Sequence, residues 1–206
     1  MRFPKFILAG LLLANVALAA DDSWQPLFNG KDLTGWETYM NTPDSAWNVP
    51  GMKRDEKGNY TQPIGKNNDP LKVFLVENVD GRPAIHISGQ GFGTMTTTAT
   101  FTNFHVRLQV KWGENRWGYK AHVVRDSGLL YFCHGGLGTV WDTWPHCIEF
   151  QIEEHDVGDL FALGTQVTVP ARMQKNADGS DSYLYDAKGE PTLFVNKNPP
   201  ASAASS

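Results

Sequence analysis

Strict apolar–polar alternation runs through the middle of this chain, and a period of two is compatible with strands but not with helices. In residues 101–112, Phe104, Val106, Leu108, Val110 and Trp112 alternate with His105, Arg107, Gln109 and Lys111, which predicts the most regular strand of the molecule. The runs from Arg125 to His134 and from Ile148 to Asp159 carry the same signal. Leu130 and Phe132 share a parity with Ile148, Phe150 and Ile152, and so predict a common apolar face. Ser127, Tyr131, Glu149, Gln151 and Glu153 fall on the other parity, with Leu129 the one apolar member. Lys, Thr and Ser would suffice to solvate a sheet face. A Tyr, a Glu and a Gln gathered on one face point instead to a site that handles a polar ligand.

The rest of the chain extends the β pattern. Residues 72–77 and 84–88 read as strands joined around Asp80-Gly81, a hairpin signal. Further strands are expected at 123–133, 147–154, 160–163 and 166–169, with a polar turn region at 175–182. The segment from Trp24 to Trp36 reads as a short strand, an Asn29-Gly30 turn and a second turn at Gly35. Residues 37–70 read as a long, partly irregular excursion anchored by Trp47. No window holds apolar residues at helical spacing without a Gly, Pro or Thr interrupting it. Twenty Gly and an aromatic content of 12% agree with strands and turns. Many short strands separated by turn signals predict an all-β, antiparallel β-sandwich.

The termini bound the setting. Arg2 and Lys5, the apolar run from Phe6 to Leu18 and the small-residue pattern Ala17-Leu18-Ala19 read as an export signal over residues 1–19. The expected mature chain starts near Ala20, outside the cytoplasm, periplasmic or secreted. The apolar run is too short for a spanning helix, so no membrane span is expected. Losing Arg2 and Lys5 takes the formal charge from −4 to −6, which argues against nucleic acid or an anionic membrane as partner. The expected domain covers residues 20–195, and residues 196–206 form a Pro/Ala/Ser-rich tail. Cys133 and Cys147 lie at the end of one strand and the start of the next. They read either as a disulfide closing the intervening loop or as two unpaired thiols buried near it.

Four blocks carry a family resemblance: WQPLFNGKDLTGW from Trp24 to Trp36, FTNF from Phe101, RDSGLLY from Arg125, and EFQI from Glu149 with DVGD from Asp156. In this order they resemble the 3-keto-disaccharide hydrolase family, whose members are also described as 3-keto-glucoside lyase and hydratase domains. The resemblance spans Trp24 to about Val169. It implies a concanavalin-like jelly-roll sandwich of two antiparallel sheets, with the sugar site on the concave sheet. It also implies an exported protein acting on oxidised glycosides, supplied by an upstream glycoside 3-dehydrogenase. Members usually continue with further strands, so the chain reads as C-terminally shortened and its domain as incomplete.

A 3-keto group acidifies the C2 hydrogen, so a base can remove that proton and the aglycone can leave from C1. Glu149, mid-strand on the polar face, is the leading candidate for the base, and also for a metal ligand. His134, where its strand opens into a Gly-rich loop, is the second. Arg125, Tyr131 and Gln151 are candidates for binding ketone and hydroxyl oxygens, and Trp141 and Trp144 for stacking on a sugar ring. Each has a plainer reading. Glu149 could belong to a solvated face and His134 could cap a turn. Arg125 and Asp126 could form a salt bridge, Ser127-Gly128 could serve close packing, and the two Trp residues could be buried. Glu154, His155, Asp156 and Asp159 cluster around Gly158, a set of ligands that would suit Ca²⁺, or Mn²⁺ or Zn²⁺ with a histidine, unless it is only a solvated turn.

Two functions follow from these readings. One is an enzyme cleaving 3-keto-glucosides or 3-keto-disaccharides, by elimination with or without hydration, or by net hydrolysis. The other is a non-catalytic, lectin-like carbohydrate-binding module on the same sandwich.

Overall fold

A computed structural model describes residues 24–195; the expected signal and the Pro/Ala/Ser-rich tail lie outside the described residues. The described chain is all-β apart from one 3₁₀ turn, Gly118–His122. Its antiparallel sheets are consistent with a β-sandwich.

The first sheet has the order β2-β1-β5, formed by β1 (Trp36–Met40), β2 (Gly65–Lys66) and β5 (Gly93–Thr97). Strands β3 (Phe74–Val79) and β4 (Arg82–Ile87) make the expected hairpin. Its turn residues Asp80 and Gly81 have φ of 51° and 81°, the left-handed pair that a two-residue hairpin requires. Met40, Val49, Tyr60, Ile64, Val73 and Phe74 form the core beneath these strands. The excursion over 37–70 is only partly irregular, as expected. It carries β1 and β2, and it closes through the Tyr60 hydroxyl, which accepts from Val49 N at 2.9 Å and donates to the Trp47 carbonyl at 2.9 Å. The opening segment forms turns and bends up to β1, without the short strand expected there.

The second region is continuous in sequence: β6 (Asp126–His134), β7 (His146–Glu153), β8 (Asp156–Leu163), β9 (Gln166–Lys175), β10 (Asp181–Tyr185) and β11 (Glu190–Val195). Strands β6-β7-β8 form one sheet and β10-β9-β11 another. Val140, Cys147 and Leu163, with Leu130, Trp141 and Trp144 against them, make a second core. The loop between β6 and β7 is tied to the first region by Asp142, which accepts from Thr42 N at 3.0 Å and from the Thr42 hydroxyl at 2.8 Å.

The strand expected at 101–112 does not form. That segment joins no ladder, and Phe104, Val106, Leu108 and Val110 remain exposed. Alternation gives a segment two faces, but a strand also needs a neighbour for its N–H and C=O groups. Among the described residues side chains hold the segment: Lys111 donates to Asp80 at 2.8 Å, and the Arg107 guanidinium lies 4.0 Å from the Trp24 ring centroid.

Candidate active site

The β6–β7 register corrects the shared-parity expectation. Leu130 pairs with Glu149, Gly128 with Gln151 and Asp126 with Glu153, so even-numbered residues of β6 face odd-numbered residues of β7. Directly opposed residues project to the same side of a sheet, and a shift of one residue exchanges the two faces. The face of Glu149 and Gln151 is therefore shared with Asp126, Gly128 and Leu130, and Phe161 of β8 flanks Glu149. Tyr131 pairs with Ile148 and Ser127 with Ile152, on the opposite face. Burial pushes the Tyr131 hydroxyl above its ordinary range.

Glu149 is the best-defined polar group of this face. A Cβ on Gly128 would lie 1.9 Å from Glu149 Oε1 and 2.6 Å from its Cδ, so the carboxyl fills the space that the missing side chain leaves. Burial, together with the negative charge of Asp126, raises its pKa from 4.5 to about 7. Asp126 organises the neighbouring groups. Its Oδ1 accepts from Gln151 Nε2 at 3.0 Å, and its Oδ2 accepts from Lys120 Nζ at 2.9 Å. Lys120 comes from the 3₁₀ turn before β6.

Sequence reasoning missed Lys120, because nothing local links it to the sheet. Asp126 and Arg125, a candidate salt bridge by sequence, each pair elsewhere. The close-packing role weighed for Gly128 is realised against Glu149.

Arg125 turns to Glu154. Its Nε and its backbone N each donate to Glu154 Oε2 at 3.2 Å, its Nη2 donates to Oε1, and its Nη1 donates to the Gly113 carbonyl. Arg116 Nη2 donates to the same carboxylate at 2.9 Å. Hydrogen bonds from Arg125, with the charge of Arg116, hold the Glu154 pKa at about 2. Glu154 and His155, the latter with φ 77°, form the two-residue turn between β7 and β8, and Asp156 and Asp159 follow on β8. With Glu154 committed to two guanidinium groups, these four residues do not form a ligand set. Among the described residues no group of three or more His, Cys, Asp or Glu side chains is arranged to hold a metal ion.

His134 stands opposite His146, on the face away from Glu149, and the two imidazoles stack with centroids 5.4 Å apart. His134 Nδ1 lies 3.1 Å from the Phe132 carbonyl and His146 Nδ1 lies 2.6 Å from the Gly164 carbonyl; a carbonyl only accepts, so each nitrogen donates. His146 is wedged between Gly135 and Gly164, where a Cβ would come within 2.7 Å and 2.6 Å of its ring. Trp141 and Trp144 meet edge to face at 5.6 Å and pack on the second core, and Trp144 also meets Phe92 at 6.1 Å. Trp141 Nε1 is buried without a hydrogen-bond partner among the described residues. Both residues are packing groups of the β6–β7 loop. A surface pocket of about 430 Å³ lies on the β10-β9-β11 sheet, lined in part by Arg172, Asp186 and Lys188, and includes none of these residues.

Comparison with curated proteins and with solved structures finds no match to this chain. A family model, by contrast, matches residues 23–200, nearly the whole chain and all of the sheets described above. The chain belongs to the 3-keto-alpha-glucoside-1,2-lyase-like domain family.

Proposed function

We propose that the protein cleaves 3-keto-glucosides or 3-keto-disaccharides by β-elimination, with Glu149 as the base. The observation that carries this reading is the Glu149 carboxyl, seated over Gly128 with its pKa raised to about 7. A carboxylate with an ordinary pKa is a weak base toward a carbon acid. One near neutrality combines sufficient ionisation with stronger proton affinity. Glu149 takes the C2 proton, the electron pair forms the enolate with the C3 ketone, and collapse of the enolate breaks the C1–O bond and expels the aglycone. The 2-hydroxy-3-keto-glucal that results adds water to complete net hydrolysis. Gln151 and the Lys120–Asp126 pair supply polar groups on the same face for the ketone and hydroxyl oxygens.

The substrate must come from a dehydrogenase that oxidises the glycoside at C3. The leader-like residues 1–19 support action outside the cytoplasm.

Incubation with a 3-keto-glucoside, following aglycone release with and without a chelator, tests the proposal and reads any metal requirement. Glu149→Gln should abolish release while the variant still folds and melts cooperatively. Undiminished release by that variant would overturn the assignment. Binding of unmodified glycans without any turnover would favour a lectin-like module instead.

A further inference from the structure

Cys147 of β7 lies on the Glu149 face, Cys133 of β6 stands across from it, and the proposed reaction uses neither. The β6–β7 ladder pairs Tyr131 with Ile148 and His134 with His146, so Phe132 and Cys133 together face Cys147 across a bulge. Phe132 takes the left-handed backbone of the bulge, with φ 54°, and its ring is 71% exposed. Opposed residues of an antiparallel pair have Cα atoms about 4.5–5.5 Å apart, within the span of about 4.4–6.8 Å that a disulfide bridges. The two thiols are not covalently joined.

Their surroundings differ sharply. Cys133 is exposed, whereas Cys147 is completely buried beside Val140 and Leu163. An exposed thiol paired with a buried one is the arrangement in which one sulfur meets an external reagent and the other resolves the adduct.

We propose that Cys133 and Cys147 form a thiol–disulfide exchange site, in which Cys133 attacks an external low-molecular-weight disulfide and Cys147 resolves the product. The Cys133 thiolate attacks one sulfur of the reagent, breaks its S–S bond and releases one thiolate. Cys147 then loses its proton and attacks the Cys133 sulfur, forming the intramolecular disulfide and releasing the second thiolate. Two electrons pass to the reagent, whose two halves leave as thiols carrying the two protons. The Cys147 side chain holds the Cys133 thiol below its ordinary pKa, which favours it as the attacking group. In the reduced protein the Cys133 side chain, then burial, then the charges of Cys133 and Glu149 push Cys147 up, which leaves Cys133 as the attacking thiol.

Reduced full-length protein incubated with oxidised glutathione, then examined by intact mass and peptide mapping, tests this. Wild type should lose two hydrogens and yield one cross-linked peptide joining Cys133 to Cys147. Cys147→Ala should accumulate a glutathione adduct at Cys133. Cys133→Ala should leave Cys147 at least about tenfold slower to react in the native state. Wild type in which both thiols remain alkylatable after oxidant would overturn the proposal, as would Cys147 reacting as fast as Cys133 in the single variants. The wild-type map decides the matter even if Cys147→Ala folds poorly.

Discussion

Gly128 and Glu149 stand on neighbouring strands in one another's space: the carboxyl of Glu149 occupies the volume that any β-carbon at position 128 would need. The glycine is therefore a steric condition of the site. It lets a carboxyl lie against the sheet, partly shielded from water, and that shielding is the main reason its pKa sits near 7.

Gly128→Ala should separate site from scaffold. The backbone at Gly128 is not in the left-handed region, so alanine is tolerated there, but its methyl must displace the Glu149 side chain. Aglycone release should fall about 100-fold or more while the melting temperature changes little. Unchanged kcat/KM in this variant would show that the seated carboxyl does not matter to the reaction.

The pH dependence follows from the raised pKa of Glu149. As a base it must be ionised, so kcat/KM should climb with pH and level off above about 7. Stability should run the other way. Both states are protonated below the ordinary value of 4.5, and the unfolded chain ionises first as pH rises. Stability is thus lost between 4.5 and about 7, by no more than about 2 kcal/mol once solvent contact is allowed for. Glu149→Gln should abolish turnover and flatten that part of the denaturation profile.

Glu154 predicts the opposite slope. Its carboxylate is ionised down to about pH 2 in the folded protein, so it stabilises above the usual glutamate range and loses that contribution as pH falls from 4.5 to 2. Glu154→Gln should lower the melting temperature at pH 7 and weaken its dependence on acid. Arg125→Ala should likewise lower the melting temperature, with little change in KM for the folded fraction. A large KM effect at unchanged stability would instead return Arg125 to the substrate.

Trp144 should behave as a core residue. Its ring lies against Trp141, Phe92 and the second core, so Trp144→Ala should cost about 2 kcal/mol or more in urea denaturation. Selective loss of ligand binding at full stability would restore the sugar-platform role.

The sequence alone was enough to say that this chain is a β protein, to mark the Asp80-Gly81 hairpin, and to put Glu149 and Gln151 on one face of their strand. These are local properties, since turn chemistry and side-chain alternation are written residue by residue. Tertiary structure decided the rest. Tyr131 and His134 lie away from Glu149 because the ladder pairs odd with even positions and then bulges at Phe132, and no single strand encodes its partner's register. Residues 101–112 have the alternation of a strand but no neighbour to complete it. Asp126 and Lys120 joined the site because a 3₁₀ turn brings an ammonium group onto the sheet, and Arg125 left it because a hairpin turn offers the carboxylate of Glu154. Alternation fixes which way a side chain points from its own strand; what it meets there depends on chain segments far away in sequence.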